Sequence, residues 1–271
     1  MNPINMVDPA GEYRSLKAEI DAAVARVFAS GRFVLGPEGE ALEREIAQFV
    51  GASHAVGCNS GTDALFFPLL AAGIGPGDEV VVPGFTFFAT GEAVSYTGAT
   101  PVFADVEEGT FNLDPASLSR SITKKTKAVI AVHLFGQCAD LERIAEICKA
   151  KNLVLVEDCA QCIGADYQGR RAGSWGEFAG FSFYPTKNLG AVGDAGAIQR
   201  STNGGKSWQA LSLPDEPNSP IWNFAIHPAD PGLVIACSHY GELYASPNAG
   251  DSWKKVRREF TEIRGIAWVP N

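Results

Sequence analysis

The sequence predicts an α/β fold with a mostly parallel central sheet over residues 1–198, joined to an all-β segment over residues 199–271. Two observations carry this reading. From residue 14 to about 198, short apolar runs alternate with amphipathic stretches of helical period. Beyond that point STNGGKSW (201–208) and SPNAGDSW (246–253) share the pattern SxNxGxSW, their first serines 246 − 201 = 45 residues apart, a period suited to propeller blades.

EGEALEREIAQFV (38–50) puts its apolar side chains on one face and its acids early, as a helix would. SHAVGC (53–58) reads as a short strand and GTDALFFPLLAAG (61–73) as an apolar helix. DEVVVP (78–83) is a strand, residues 87–97 a helix and PVFAD (101–105) a strand. In DPASLSRSI, Asp114 is placed as an N-cap with Pro115 in the first turn. KAVIAVHLFG (127–136), DLERIAEICKAKN (140–152) and LVLVEDCA (153–160) follow as strand, helix and strand. Runs this uniformly apolar fit a sheet covered on both faces, where ligands collect beyond the carboxyl ends of the strands. That rule directs attention to residues 59–62, Thr86, Phe87, His133, Asp158 and the loop of Lys187.

With 46% hydrophobic and 20% charged residues, the chain belongs with folded rather than disordered sequences. Its 22 basic and 31 acidic side chains give a net charge of −9, which argues against nucleic acid as a partner. MNPINMVDPAGEYR holds acids and no continuous apolar segment, so neither a secretory signal nor a membrane anchor is expected, and a cytoplasmic location is. The six cysteines, Cys58, Cys138, Cys148, Cys159, Cys162 and Cys237, are expected as buried thiols. Cys159 and Cys162 have CxxC spacing but no comparably placed second pair, so no metal is expected.

Three stretches carry chemistry. NSGTDAL (59–65) puts Ser60, Gly61 and Thr62 at a helix start, where backbone amides and hydroxyls form either an ordinary cap or a phosphate cradle. VEDCAQ (156–161) ends an apolar strand on Asp158, a buried acid that requires a cationic or hydrogen-bonding partner, while Glu157 alternates away from it. FSFYPTKNLG (181–190) presents Lys187 in a constrained loop after an aromatic strand. A lysine to form a Schiff base, a carboxylate to keep a pyridine nitrogen protonated and an anion cradle are together what pyridoxal phosphate needs. Phe87 in PGFTFFAT either covers one face of that ring or belongs to the core.

FVLGPEGEALEREIA, GCNSGTDAL, GDEVVVPGFTFFAT, VHLFGQ, LVEDCAQ and FSFYPTKNLGAVGDAGA, in that order over roughly residues 4–198, resemble the large domain of the DegT/StrS family of pyridoxal-phosphate sugar aminotransferases. The resemblance implies the fold-type I aminotransferase architecture, and amino transfer from glutamate or glutamine to a keto group on a nucleotide-linked sugar. It implies that Lys187 is the Schiff-base lysine and proton shuttle, that Asp158 pairs with the pyridine nitrogen and that Gln161 lies near the ring hydroxyl. Ser60, Gly61, Thr62 and Ser182 would hold the phosphate and Phe87 would stack, while Asn188 and His133 are pocket candidates. It also implies a homodimer with shared sites. Some relatives with histidine in place of the lysine are sugar dehydratases; Lys187 favours amino transfer.

After GDAGAI the family pattern stops, and the large domain is expected to be incomplete at its C-terminal side, without the small domain that closes over substrate. Weak or absent sugar transamination is therefore expected despite cofactor binding. The SxNxGxSW segments resemble Asp-box repeats of sialidase-like and sortilin-like β-propellers, with asparagine in place of aspartate. About one to one and a half blades would be present against the roughly four to eight of a closed propeller. Such a fragment would expose strand edges, lowering solubility, or act as an interaction module.

Overall fold

Residues 8–32, 35–190, 198–200, 209–211, 221–227, 230–238, 242–248 and 252–256 are described by a computed structural model. STNGGKSW lies outside them, and with it Ser201, the last residue of the expected junction near residues 198–201. The chain divides into two compact units, Met1–Val192 and Gly193–Asn271.

In the first unit the elements run α1 (Pro9–Ser30), α2 (Pro37–Val50), α3 (Gly61–Ala71), β1 (Glu79–Pro83), α4 (Phe88–Tyr96), β2 (Thr100–Ala104), α5 (Pro115–Ser121), β3 (Thr126–Val132), α6 (Leu141–Lys151) and β4 (Val154–Asp158). A two-residue hairpin, β5 (Asp166–Tyr167) and β6 (Arg170–Arg171), precedes β7 (Phe178–Gly180). β1, β2, β3, β4 and β7 form one parallel sheet in the order β2-β1-β3-β4-β7. The apolar runs are continuous because alternate residues serve opposite faces. Val80, Val82, Ile130 and Val156 pack with Leu65, Leu69 and Ala93, whereas Val81, Val129, Ala131 and Leu155 pack with Leu118, Ile144 and Cys148.

Local signals set the helix ends. The Asp114 carboxylate accepts the N–H groups of Ala116 and Ser117 and so caps α5. Asp140 caps α6 in the same way, through Arg143 N–H, and Asn152 closes that helix in the left-handed region at φ 54°. At α1, Asp8 accepts Gly11 N–H and Pro9 starts the helix.

Two local expectations are corrected. Residues 53–58 form no strand and Cys58 is exposed. A run without strict alternation or a partner strand extends but does not pair. The aromatic segment at 181–184 also forms no strand; pairing with β4 is confined to Phe178–Gly180 just before it.

In the second unit β8 (Ile198–Arg200) pairs antiparallel with β9 (Gln209–Leu211). β10 (Ile221–His227), β11 (Asp230–Ser238), β12 (Leu243–Ser246) and β13 (Lys254–Lys255) form a four-stranded antiparallel sheet in chain order. The two strands expected in GLVIACSHYGELYAS are β11 and β12. Between β12 and β13, Asn248 Oδ1 accepts Ser252 N–H at 2.9 Å and the Ser246 hydroxyl at 3.0 Å, while Trp253 and Tyr244 are buried. The described residues of this unit form no closed propeller. Among the described residues, no helix is long and apolar enough to cross a membrane.

Candidate active site

β4 ends on two carboxylates that leave the strand on opposite faces, because side chains alternate along extended backbone. Glu157 is fully buried. Its Oε2 accepts His133 Nε2–H at 3.0 Å and Gly173 N–H at 2.8 Å. Its Oε1 accepts Trp175 N–H at 2.6 Å and Gly176 N–H at 2.8 Å. Burial alone would push its pKa up; the His133 bond and the amides of Gly173 and Gly176 outweigh burial and hold it below the usual carboxylate range. Ala139 N–H donates to His133 Nδ1 at 3.2 Å, which leaves Nε2 as the ring nitrogen that donates to Glu157.

Asp158, on the other face, is also buried but receives fewer donors. Thr90 Oγ1–H reaches its Oδ2 at 2.9 Å, and Ala160 N–H reaches its Oδ1 at 3.1 Å. Burial raises its pKa, and the Thr90 and Ala160 bonds, with His133 and then Lys187 nearby, counter that only in part. Thr90 lies in the first turn of α4, with its hydroxyl 2.9 Å from that of Thr86. Sequence reasoning passed over Thr90; its signal was a hydroxyl one helical turn beyond Thr86 in TFFAT.

The cradle forms where α3 begins. Ser60 is the N-cap and its hydroxyl accepts Asp63 N–H at 3.1 Å, while Gly61 and Thr62 open the helix. A Cβ on Gly61 would lie 2.9 Å from Ser182 Cβ, so this approach requires glycine. One on Gly180 would meet Leu65 Cδ2 at 2.9 Å, which shows how closely α3 sits on β7. First-turn amides of a helix and a hydroxyl facing them suit an anion.

Lys187 lies in the loop that follows. Its N–H donates to Tyr184 O at 2.8 Å, and Asn188 is the next residue of the same turn. Lys187 Nζ stands 5.8 Å from the centre of the Phe87 ring. Phe87 is 66% exposed, which rules out the core alternative and leaves its face open. Gln161 Oε1 accepts Phe135 N–H at 2.8 Å, with Phe135 itself held at φ 56°. His133, expected as a pocket residue, is instead enclosed, with both ring nitrogens engaged.

His133, Cys159 and Cys162 bring one nitrogen and two sulfur atoms within 4.8 Å of one another. The occupied ring nitrogens leave no imidazole lone pair for a metal. Burial pushes the Cys159 thiol well up, and the thiols of Cys138 and Cys148 to about 11 and about 12, so these groups behave as apolar filling.

Residues 14–210 match the DegT/DnrJ/EryC1/StrS aminotransferase family. The chain is 48% identical over 195 residues to a UDP-N-acetyl-3-dehydro-alpha-D-glucosamine 3-aminotransferase of Acidithiobacillus ferrooxidans, covering 72% of this chain and 53% of that protein. The crystal structure of S. venezuelae DesV superposes with a TM-score of 0.70 at 48% identity, covering 72% of this chain and 52% of that one. The PLP form of a putative sugar aminotransferase, Spr1654 from Streptococcus pneumoniae, superposes at 0.60 with 34% identity, covering 64% and 48%. The chain thus spans about half the length of the relatives it matches. The parallel sheet, the paired acids of β4, the glycine-dependent cradle and the lysine loop all fall within the matched residues, and the chain belongs to the DegT/DnrJ/EryC1/StrS aminotransferase family.

Proposed function

We propose that the chain binds pyridoxal phosphate and carries the cofactor half of an aminotransferase acting on a nucleotide-linked keto sugar, with glutamate or glutamine as amino donor. The observation that carries this reading is Asp158, a buried carboxylate with two hydrogen-bond donors, beside a lysine loop and a helix-start cradle. The residues fit the group. Asp158 has acceptor capacity left for a pyridinium N–H, and the Gly61–Ser182 approach leaves room for phosphate oxygens where a Cβ would intrude. When bound, the cofactor supplies an electron sink that stabilises negative charge on the carbon bearing the transferred nitrogen.

The chain's own residues do the rest. Asp158 holds the proton on the pyridine nitrogen. The first-turn amides of α3, with the hydroxyls of Ser60, Thr62 and Ser182, hold the phosphate. Lys187 Nζ would hold the cofactor and carry the proton, Phe87 would cover the ring and Gln161 would lie near its hydroxyl. Asn188 would line the same pocket, and His133 would act from behind it through Glu157. The sugar-nucleotide reading draws on the relatives, among them a UDP-sugar aminotransferase. The expected homodimer draws on the exposed aromatics Phe85, Phe87, Phe88 and Phe103. Five cysteines among the described residues are free thiols, which supports a reducing, cytoplasmic compartment.

Borohydride reduction of the purified chain with pyridoxal phosphate should fix the cofactor on Lys187, read by peptide mass, and Lys187→Ala should abolish the label. A folded chain that takes up no label overturns the reading. With a nucleotide-linked keto sugar and ¹⁵N-glutamate, weak nitrogen incorporation is expected; a deoxygenated sugar without nitrogen would instead indicate dehydration.

We further propose a propeller-blade origin for residues 199–271, with a domain boundary near residues 198–199, a few residues past the division of the compact units at Val192/Gly193 and inside the family match, which runs on to residue 210. Support comes from the four-stranded antiparallel order β10-β11-β12-β13 and from the Asn248 turn with buried Trp253 beside it. An interaction role for this segment would be supported if isolated residues 199–271 folded and captured a defined partner.

A further inference from the structure

Glu157 uses all of its acceptor capacity on groups from two separate parts of the chain. His133 Nε2–H comes from the end of β3, and the amides of Gly173, Trp175 and Gly176 come from the loop before β7. That loop continues toward the phosphate cradle. Gly173 sits at φ +89°, and a Cβ on it would lie 2.4 Å from Phe181 Cζ, so the loop rests on the residue immediately before Ser182. The other partner leads toward the ring end of the site, since His133 N–H donates to Asp158 O at 3.1 Å. β4 and the strand below Ser182 are further joined by Cys159 N–H donating to Gly180 O at 2.8 Å.

We propose that Glu157 is a positioning residue for the cofactor site: its carboxylate locks the 173–176 loop and His133 to β4, and thereby sets the distance between Asp158 at the ring end and Ser182 at the phosphate end. This rests on the pyridoxal-phosphate reading above. Glu157 touches neither cofactor nor substrate. It acts through the loop that seats Phe181 and through the imidazole behind Asp158.

Glu157→Gln keeps the size but turns one acceptor into an NH₂ facing backbone donors, leaving amides without an acceptor. Hydrogen exchange on the full chain without cofactor should quicken about tenfold in residues 173–176 and also in residues 181–190. Pyridoxal phosphate should then bind about tenfold more weakly. At saturation, the visible circular dichroism per bound cofactor should fall, which a mere loss of global stability would not cause. Quickened exchange confined to 173–176, with cofactor affinity unchanged within about twofold, overturns the proposal. Should Glu157→Gln not fold, His133→Gln removes one donor of the four, and the same pattern at smaller amplitude is expected; no change in residues 181–190 overturns it. If the unsubstituted chain does not bind pyridoxal phosphate, the functional reading fails, while the exchange data still decide whether Glu157 couples the two segments.

Discussion

The face of β4 toward the 173–176 loop and the face toward α4 each receive one carboxylate, and the two faces treat it in opposite ways. Glu157 has four donors and is held ionised; Asp158 has two and is pushed toward protonation. Burial is nearly the same for both. The number of donors therefore decides which acid is structural and which remains available to a ligand.

The most damaging way to break this contrast is Glu157→Ala, which strips a buried carboxylate from four donors. A loss of about 3–5 kcal/mol is expected, lowering the thermal midpoint by roughly 10 °C or more. Asp158→Asn should weaken pyridoxal phosphate binding about 10²-fold, the weight of a buried charge-assisted bond, measured by titration. The same substitution should raise the midpoint of the cofactor-free chain at pH 7 by a few degrees, because it removes an incompletely satisfied buried charge worth about 1 kcal/mol.

Acid titration sharpens the contrast by sign. Glu157, with its pKa lowered on folding, contributes stability that is present above its unfolded pKa and lost as pH falls through the folded value. Asp158, with its pKa raised, binds more protons folded than unfolded between its two values, so its contribution falls as pH rises across that window. Urea unfolding across the acid range should therefore show Glu157→Gln losing stability at neutral pH with the deficit closing in acid, and Asp158→Asn flattening the opposite slope. The smallest expected effect is that of Thr90→Val, which should cut cofactor affinity about fivefold by removing one hydroxyl from Asp158, with Thr90→Ser restoring it.

Periodicity made the sheet legible, since VVVP and the VLV that opens β4 are apolar on both faces, as covered strands are. Asp158 stood out as a charge ending an apolar run, and Lys187 as a lysine in a loop bounded by Pro185 and Gly190, read together with the helix-start cradle. Glu157 was visible only as the residue that alternates away, because its four partners lie 16 or more positions distant and backbone amides leave no mark in a sequence. Thr90 was hidden likewise, its bond to Asp158 spanning 68 positions. The SHAVGC reading failed because strand propensity describes fit to a neighbour, and Cys58 has no strand beside it.

Sheet order also gives the two ends of the candidate site different kinetic standing. Asp158 ends an interior strand flanked by β3 and β7, whereas Ser182 follows β7, a three-residue margin paired on one side only among the described residues. Margins open locally at far lower free energy than interior strands, often without global unfolding. Local opening of β7 would therefore loosen the Gly61–Ser182 approach while leaving Asp158 in its interior frame.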